Sequence, residues 1–185
     1  PDHRWLTLHR GAVTDLRVGD FVPAQANEFG ETNDTYKAGF VHGLVFGDGT
    51  YNSTVAGEHR FPLRLCGKKA KHVGHFSNVT WPKTYNGDPF CHVKSATDLK
   101  SFPDGQHGTD YARGFLDGWL ATDGSKQSSG SVRLSSQDPA AAEWLNRNAA
   151  AAGWLLVGDS FESSTETNYG KRSAPLRVFV LSEHT

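Results

Sequence analysis

The sequence contains an internal repeat, and this repeat constrains the fold more than any other feature of the chain. The fourteen residues Tyr36–Gly49 overlay Tyr111–Gly124 at an offset of 75, and six of the fourteen positions are identical. Unrelated segments of that length would share roughly one position by chance. The repeat therefore predicts one structural unit present twice, so that the chain folds as two related halves.

Each copy of the repeat has the pattern of an α-helix with a defined beginning and end. Residues with capping side chains precede the first copy at 33–35 and the second at 109–110, and Gly49 and Gly124 follow the last turn of each copy. Ser, Thr, Asp and Asn side chains cap the amino ends of helices, and glycine commonly ends them. We therefore expect two helices, each ending at an Asp-Gly pair.

Glycine pairs within the two copies predict that the helices pack on each other. Gly39 and Gly43 are four residues apart, as are Gly114 and Gly118, so each pair lies on one helical face. A glycine inside an exposed helix costs about 1 kcal/mol relative to alanine. A close contact between the helices compensates for this cost, and the four glycines are the expected interface.

Asp48 and Asp123 occupy the same position in the two copies, at the predicted carboxyl ends of the helices. If the helices pack about a local two-fold axis, the two carboxylates meet at the negative ends of two helix dipoles, which is unfavourable unless a cation lies between them. Mg²⁺ prefers such hard oxygen ligands. The alternative is that each Asp-Gly pair only forms a turn. The repeated position favours a divalent metal site.

A segment with alternating polarity follows the first helix. Arg60 and Arg64 share one face of this predicted strand, and Phe61, Leu63 and Leu65 lie on the other. The pattern predicts a sheet with one apolar face and one polar, basic face that is free to bind a partner.

The last strand of the second half shows the same alternation. Arg177 and Phe179 share a face opposite Leu176, Val178 and Val180. We therefore place Arg177 on the polar face of the second sheet.

The remaining elements complete an α-β-β-α-β-β order in each half. In the second half, Asp138 and Pro139 predict the start of a helix that ends near Gly153. Further strands are predicted at 76–83 and 88–95 in the first half, and at 154–162 and 174–181 in the second. The fold class is thus α+β, with two pseudo-symmetric halves, antiparallel sheets and a central two-helix interface.

Charge is unevenly distributed along the chain. The net charge of the 185 residues is −1, which argues against a generally basic nucleic-acid-binding protein. Residues 51–100, however, hold eight Lys or Arg against three Asp or Glu, whereas residues 101–185 hold seven against ten. The first half therefore presents the more basic surface.

The length of the apolar stretches and the number of cysteines indicate where in the cell the protein is expected. No apolar stretch approaches the ~20 residues that a membrane span needs, so we expect no membrane partner. With two cysteines and no leader-like segment, the expected location is a reducing cytoplasm.

Cysteine and histidine side chains in the first half include the residue types that bind zinc. They are Cys66, His72, His75, Cys91 and His92. Their spacings match no strong zinc template, so two interpretations stay open: a zinc site, or small buried thiols within strands. We favour buried thiols.

The segments Val41–Gly49 and Leu116–Gly124 resemble the paired signature of the LAGLIDADG homing endonucleases, in the single-chain form that carries two motifs. The resemblance covers about residues 34–182. It implies that the two halves form a saddle-shaped sheet over DNA and that Asp48 and Asp123 hold divalent metal. The main-chain carbonyls of Gly47 and Thr122 are then further ligands.

The chemistry implied by this resemblance is metal-dependent hydrolysis of double-stranded DNA at a long target site by a monomer. Mg²⁺ is the implied metal, with Mn²⁺ or Ca²⁺ able to substitute in crystals, and Lys94 is the candidate basic residue beside a scissile phosphate. The candidate DNA-binding residues are basic side chains of the two sheets and their loops: Arg60, Arg64, Lys83, Lys94, Lys126, Arg133, Lys171, Arg172 and Arg177.

Residues 1–25 resemble part of an intein splicing domain. The resemblance rests on the segments Pro1–Thr7 and Asp15–Pro23. The alternative is an amino-terminal arm packed on the nuclease. The domain organisation is then 1–25, a first LAGLIDADG half at 34–105 and a second at 106–185, in a bacterial, archaeal or phage context.

Two further functions compete with an active endonuclease. One is a DNA-binding module of the same architecture that has little or no cleavage activity, and the absence of a basic counterpart to Lys94 in the second half favours it. The other is a part of a protein-splicing intein, supported only by residues 1–25.

Overall fold

The computed structural model describes residues 33–50, 53–55, 57–76, 81, 83–104, 107–162, 166–167, 170–171 and 176–183. The prediction for residues 1–25 lies outside the described residues. Within the described part of the chain, no helix is long and apolar enough to cross a membrane.

The described residues of the first half form one α-helix, one 3₁₀ helix and four strands. In chain order they are α1 (Asp34–Asp48), β1 (Ser53–Val55), β2 (Glu58–Arg64), the 3₁₀ helix (Gly67–His75), β3 (Lys83–Tyr85) and β4 (Asp88–Ser95).

In the second half, the part of the chain that the structure describes forms two α-helices, four main strands and a small hairpin. In chain order they are α2 (Gly108–Asp123), β5 (Ser125–Lys126), β6 (Val132–Ser136), α3 (Ala140–Asn148), β7 (Trp154–Glu162), β8 (Glu166–Thr167), β9 (Gly170–Lys171) and β10 (Leu176–Glu183).

Strand order is the same in the two halves. The first sheet is ordered β1-β2-β4-β3 and the second β5-β6-β10-β7, and all pairings are antiparallel. Since β10 corresponds to β4 and β7 to β3, the two halves share one topology. The predicted α+β class with two α-β-β-α-β-β halves is confirmed, with a 3₁₀ helix as the second helix of the first half. The saddle curvature and the half boundaries stay predictions.

The two repeat helices pack against each other through the four glycines. Each glycine lies so close to the opposite backbone that an added Cβ would meet a carbonyl oxygen. The nearest oxygens are Tyr111 O at 2.2 Å for Gly39, Phe115 O at 2.1 Å for Gly43, Tyr36 O at 2.1 Å for Gly114 and Phe40 O at 2.3 Å for Gly118. The central two-helix interface is therefore a contact between backbones.

The amino ends of the two helices differ from each other. Asn33 caps α1, since its side-chain oxygen accepts a hydrogen bond from the Tyr36 N–H at 2.8 Å. The second helix starts at Gly108, one to two residues before the predicted cap. The predicted cap is wrong because Asp110 lies inside the first turn, where its carboxylate accepts from the Asn33 amide across the interface.

Each sheet turns its apolar face toward its own repeat helix. Phe61, Leu63 and Leu65 are fully buried under α1, as the alternation predicts. In the second half, Leu134 of β6 and Phe179 of β10 are fully buried against α2. Each half thus has its own apolar core.

The predicted orientation of β10 is wrong. Phe179 belongs to the core, so Arg177, two residues before it, lies on the core-facing side of the sheet rather than on the open side. Its guanidinium stacks over the rings of Phe161 and Phe179 at 5.2 and 5.6 Å and pairs with Asp159. Both faces of β10 carry apolar residues, so alternation alone did not determine which face is buried.

Strand and helix boundaries agree in part with the sequence. The strands predicted at 88–95 and 154–162 are confirmed, and β10 ends two residues later than predicted. The strand predicted at 76–83 is wrong at its start, because the Phe76 N–H bonds to the Val73 carbonyl at the end of the 3₁₀ helix. Residues 77–80 and 82 of this prediction lie outside the described residues, and β3 begins at Lys83.

Turns continue the chain beyond the last regular residue of α3. The helix proper ends at Asn148, and turns continue to Gly153, whose φ of 85° is left-handed. The Trp154 N–H then bonds back to the Ala149 carbonyl at 2.9 Å. This is a Schellman-type ending, so Gly153 terminates the segment where the sequence predicted the helix to end.

Candidate metal centre at the ends of the repeat helices

The carboxyl ends of α1 and α2 lie side by side. A Cβ added to Gly47 would be 1.9 Å from the Thr122 hydroxyl oxygen and 3.2 Å from Asp123 Oδ2. The Asp123 carboxylate therefore lies against the last turn of α1, one residue before Asp48. Burial raises the pKa of Asp123, and the negative charge of Asp48 adds to this shift. The structure thus brings the two repeat-related carboxylates together.

Asp48 has one paired oxygen and one unpaired oxygen. The Lys69 ammonium lies 2.7 Å from Asp48 Oδ1 in a partly buried ion pair. The other oxygen, Oδ2, is buried and accepts no hydrogen bond from any residue that the structure describes. A buried carboxylate oxygen without a donor is costly, so this atom is suited to accept a further cation or donor.

Asp123 is oriented by its own helix. The Trp119 indole N–H donates to Asp123 Oδ2 at 3.1 Å, one helical turn earlier. Burial of the carboxyl group is the main cause that raises its pKa, and the Trp119 hydrogen bond is the largest opposing effect. The residue as a whole is exposed although its carboxyl group faces the crowded helix ends. Asp123 is therefore fixed in orientation yet reachable from solvent.

Gly47 and Thr122 lie in the last turns of the helices, where carbonyl groups lack helical partners. The Thr122 hydroxyl donates back to the Trp119 carbonyl at 2.9 Å, so its side chain is turned into its own helix. Their main-chain carbonyls remain the predicted ligands at these positions.

Lys100, like Lys69, is a site residue that the sequence analysis missed. It follows β4, and its half-buried ammonium donates to the carbonyls of Gly49 at 2.8 Å and of Phe46. Burial is the main cause that lowers the pKa of Lys100, and the negative charges of Asp123 and Asp48 oppose that shift. Lys100 therefore neutralises the carboxyl end of α1 beside the acidic pair. It lies in a loop without periodicity, so the only sequence signal was its position between β4 and α2.

The residues present fit a divalent cation. Two carboxylates supply hard oxygens, one of them buried and unpaired, and Mg²⁺ commonly uses one or two protein carboxylates and takes its other ligands from water and substrate phosphates. Among the described residues, no group of three or more His, Cys, Asp or Glu is arranged to hold a metal. The site therefore suits a metal shared between protein, water and a phosphate better than one fully enclosed by protein.

Lys94 lies on the open face of the first sheet. Its ammonium is 3.3 Å from Glu58 Oε2, and the same carboxylate lies 4.0 Å from Arg60 Nε. No contact of the described residues joins Lys94 to Asp48 or Asp123. The structure brings Lys69 and Lys100, not Lys94, to the acidic pair, and the catalytic role of Lys94 stays a prediction.

The other basic candidates fall into three groups. Arg64 and Arg133 pair with Asp88 and Glu162 respectively. Lys126 lies opposite Val132 in the register, on the core-facing side of the second sheet's edge. Nothing is described for Arg172 or for the side chains of Lys83 and Lys171.

The two cysteines have different environments. Cys91 is buried, and burial raises the pKa of its thiol to about 12. Cys66 is exposed, contrary to the expectation that both thiols are buried. His72 and His75 pack on Phe40 with ring centroids 5.4 and 4.3 Å away, so these rings cover the first core.

No protein-family profile and no curated protein sequence matches this chain. Solved structures resemble it at low identity. I-DmoI in complex with DNA and Mn is 15% identical, with a TM-score of 0.48 over 81% of this chain and 91% of that one. The N-terminal LAGLIDADG domain of DUF199/WhiA is 8% identical, with a TM-score of 0.47 over 80% and 77%. Mesophilic variants of the homing endonuclease I-DmoI are 12% identical, with a TM-score of 0.44 over 80% and 89%. At these identities the likeness concerns the fold alone.

Proposed function

We propose that this protein is a divalent-metal-dependent endonuclease that hydrolyses phosphodiester bonds of double-stranded DNA. One observation carries the proposal: two carboxylates from equivalent positions of a sequence repeat meet at adjoining helix ends, and one of their oxygens is buried without a donor. Like charges are brought together in this way at a cost, which a bound divalent cation removes.

Asp48 and Asp123 would hold the metal, with the carbonyls of Gly47 and Thr122 as further ligands. Mg²⁺ is the proposed ion, and Mn²⁺ and Ca²⁺ have the same preference for hard oxygens. When bound, the metal supplies Lewis acidity and lowers the pKa of a water that attacks phosphorus. Trp119 holds the Asp123 carboxylate in place through its indole N–H, so this ligand does not have to be ordered on binding.

Lys100 supplies a fixed positive charge beside the acidic pair. Three carbonyls at the end of α1 hold its ammonium, and the charges of both carboxylates act on it. A preorganised cation stabilises negative charge that develops on a phosphate oxygen in the transition state. We therefore assign Lys100, ahead of Lys94, as the basic residue nearest the chemistry.

The open faces of the two sheets are the proposed DNA-binding surface. In the first half this face carries Arg60, Arg64 and Lys94 in register on β2 and β4. Arg64 and Lys94 are each paired with an acidic neighbour, and Arg60 lies 4.0 Å from the carboxylate that pairs with Lys94. Basic side chains on this face could read base edges or bind phosphates. One chain carries both halves, so a monomer spanning a long site is sufficient.

A second candidate function is DNA binding with little or no cleavage. The observation that favours it is the ion pair between Lys69 and Asp48, because the ammonium already neutralises one of the two carboxylates that would hold a metal. The roles of residues 1–25 in an intein and of the cytoplasm as location stay predictions.

A selection from random duplexes tests both candidates. Bound duplexes are recovered in EDTA, sequenced, and then incubated with Mg²⁺ or Mn²⁺ while both strands are followed on denaturing gels. We expect metal-dependent cleavage of both strands, and loss of cleavage with retained binding in Asp48→Asn and Asp123→Asn. Glu143→Gln, which removes an exposed carboxylate of α3, is the matched control and should cleave like wild type.

Two other outcomes would contradict an active endonuclease. Retention of duplex without nicking at any metal concentration leaves the DNA-binding module. Failure to enrich any duplex overturns both candidates.

A further inference from the structure

Lys69 lies at the acidic pair, but the proposed reaction does not use it. Lys69 lies in the 3₁₀ helix, 21 residues after Asp48, and its ammonium is 2.7 Å from Asp48 Oδ1. The two side chains keep 30% and 19% of their surface exposed, so the pair is partly shielded from water. A pair of this kind is stronger than a surface ion pair, because less solvent screens it.

The Lys69 ammonium reduces the electrostatic repulsion between the Asp48 and Asp123 carboxylates. Burial, and after it the negative charge of Asp48, raises the pKa of Asp123, and the positive charge of Lys69 acts on Asp123 in the opposite direction. Without a divalent ion, Lys69 and Lys100 are the cations that the structure places at this cluster. Of these two, only Lys69 occupies a carboxylate oxygen directly.

The start of the 3₁₀ helix, which carries Lys69, can open locally at a small cost in free energy. None of the residues in the 3₁₀ helix Gly67–His75 is buried, and its contacts with the first core come from Val73 and the histidines at its far end, after Lys69. Moreover, 3₁₀ hydrogen bonds have poorer geometry than α-helical ones. Its amino end is held to the sheet by the Gly67 N–H, which donates to Asp88 Oδ1 at 3.1 Å. Segments with few buried contacts open locally with small free energies.

Lys100 lacks this freedom. Its ammonium is fixed by the carbonyls of Val45, Phe46 and Gly49, whereas the Asp48 carboxylate is the one partner of the Lys69 ammonium among the described residues. The two lysines therefore have different roles: one is a permanent part of the helix end, and the other is a removable partner of Asp48.

We propose that Lys69 is a resident cation that holds Asp48 in the metal-free protein and is displaced by the divalent ion when the site is loaded. The inference rests on the proposed function, because it needs the acidic pair to bind metal. Displacement frees an ammonium next to the reacting phosphate and couples the 3₁₀ helix to metal binding.

Metal affinity in the absence of DNA tests the inference without measuring cleavage. Mn²⁺ is titrated into wild type, Lys69→Met, Lys69→Arg, Lys68→Met and Lys71→Met by calorimetry, with Asp48→Asn as reference. Lys68 and Lys71 are exposed lysines of the same 3₁₀ helix, so their variants remove the same charge without breaking the ion pair.

We expect Lys69→Met to bind Mn²⁺ about tenfold more tightly than wild type, since the competing charge lies only a few ångströms from the ion. Lys68→Met and Lys71→Met should stay within about threefold of wild type, because their charges are exposed and screened. Lys69→Arg keeps the cation and should also bind close to the wild-type affinity. Without metal, Lys69→Met should melt below Lys68→Met, because two carboxylates then face each other with one cation fewer.

The failures are distinguishable. If Asp48→Asn abolishes Mn²⁺ binding but Lys69→Met binds no more tightly than Lys68→Met, the resident-cation inference is wrong and the proposed metal site stands. If wild type and Asp48→Asn bind Mn²⁺ alike, or neither binds it, the metal site and the inference both fail.

Discussion

Gly43 and Gly118 face each other across the helix interface so closely that a Cβ on Gly43 would lie 2.9 Å from the Gly118 Cα. This approach sets the distance between the two helix axes, and it therefore sets how near Asp48 and Asp123 come at the helix ends. The glycines, which carry no chemistry, thus control the geometry of the residues that do.

A Gly43→Ala variant should be strongly destabilised. Its Cβ would lie 2.1 Å from the Phe115 carbonyl oxygen and 2.7 Å from the Trp119 nitrogen, and neither backbone can move without shifting α2. Overpacking of this kind costs about 3 kcal/mol, more than the gain of up to about 1 kcal/mol in helix propensity. Urea unfolding measures the difference.

Gly74→Ala is the matched control for this prediction. Nothing lies within 4 Å of a Cβ at Gly74, so its stability should change by no more than about 0.5 kcal/mol. Equal stability of the two variants would contradict the close helix packing.

Protonation of His42 should destabilise the protein in mild acid. His42 is 4% exposed, with Nε2 3.0 Å from the Ser101 carbonyl and Nδ1 2.9 Å from the Tyr111 hydroxyl. Since a carbonyl only accepts, Nε2 carries a proton, and in the neutral ring Nδ1 is the acceptor for the Tyr111 hydroxyl. Burial is the main cause that lowers the pKa of His42 to about 4.

The sign of the pH dependence follows from that shift. Between about pH 6.5 and pH 4 the unfolded chain binds a proton at His42 that the folded chain does not, so stability falls as the pH is lowered through this range. The loss should approach about 3 kcal/mol, and it is complete below the folded pKa. Urea unfolding at several pH values measures it. His42→Gln offers the same donor and acceptor without titrating, so its stability should depend less on pH, and an identical slope would contradict the assignment.

Lys100→Met should lower both stability and cleavage. The variant removes an ammonium that donates to carbonyls at the end of α1, and charged hydrogen bonds of this kind contribute about 2 kcal/mol. The same change removes the fixed charge beside the acidic pair, so single-turnover cleavage should fall about 100-fold or more. Thermal melts and cleavage kinetics measure the two effects.

Lys94→Met provides the comparison, because Lys94 is exposed and pairs only with Glu58 among the described contacts. Its stability should change by less than about 0.5 kcal/mol and its cleavage rate by far less than that of Lys100→Met. The opposite order of rates would restore Lys94 as the basic residue of the chemistry.

Arg60→Ala and Arg177→Ala should differ in their effect on DNA binding. Arg60 lies on the open face of the first sheet, whereas Arg177 is on the core-facing side of the second sheet, over the ring of Phe179. When a phosphate-binding side chain is removed, the slope of the logarithm of the DNA-binding constant against the logarithm of the salt concentration becomes shallower by about one unit. We expect this loss for Arg60→Ala only, measured by binding across a salt series. Equal slopes for the two variants would place both arginines, or neither, at the DNA.

The repeat and its glycines determined most of the architecture. A glycine every four residues on a helix lets two backbones touch, and a side-chain period of two places Phe61, Leu63 and Leu65 on one face of a strand. These rules are local, because the position of a residue within its helix or strand determines the side to which its side chain points. They were sufficient to predict two α-β-β-α-β-β halves and a helix interface that brings Asp48 and Asp123 together.

Tertiary structure alone decided what surrounds the acidic pair and which face of β10 is buried. Lys69 and Lys100 reach the helix ends from a 3₁₀ helix and from a loop, and neither has a periodic pattern that fixes where its side chain points. Arg177 lies on the core-facing side of its sheet because Phe179, not Val178, packs with Leu134 under α2. Contacts between residues distant in sequence depend on how whole elements pack, and the spacing of residues along one chain does not contain that information.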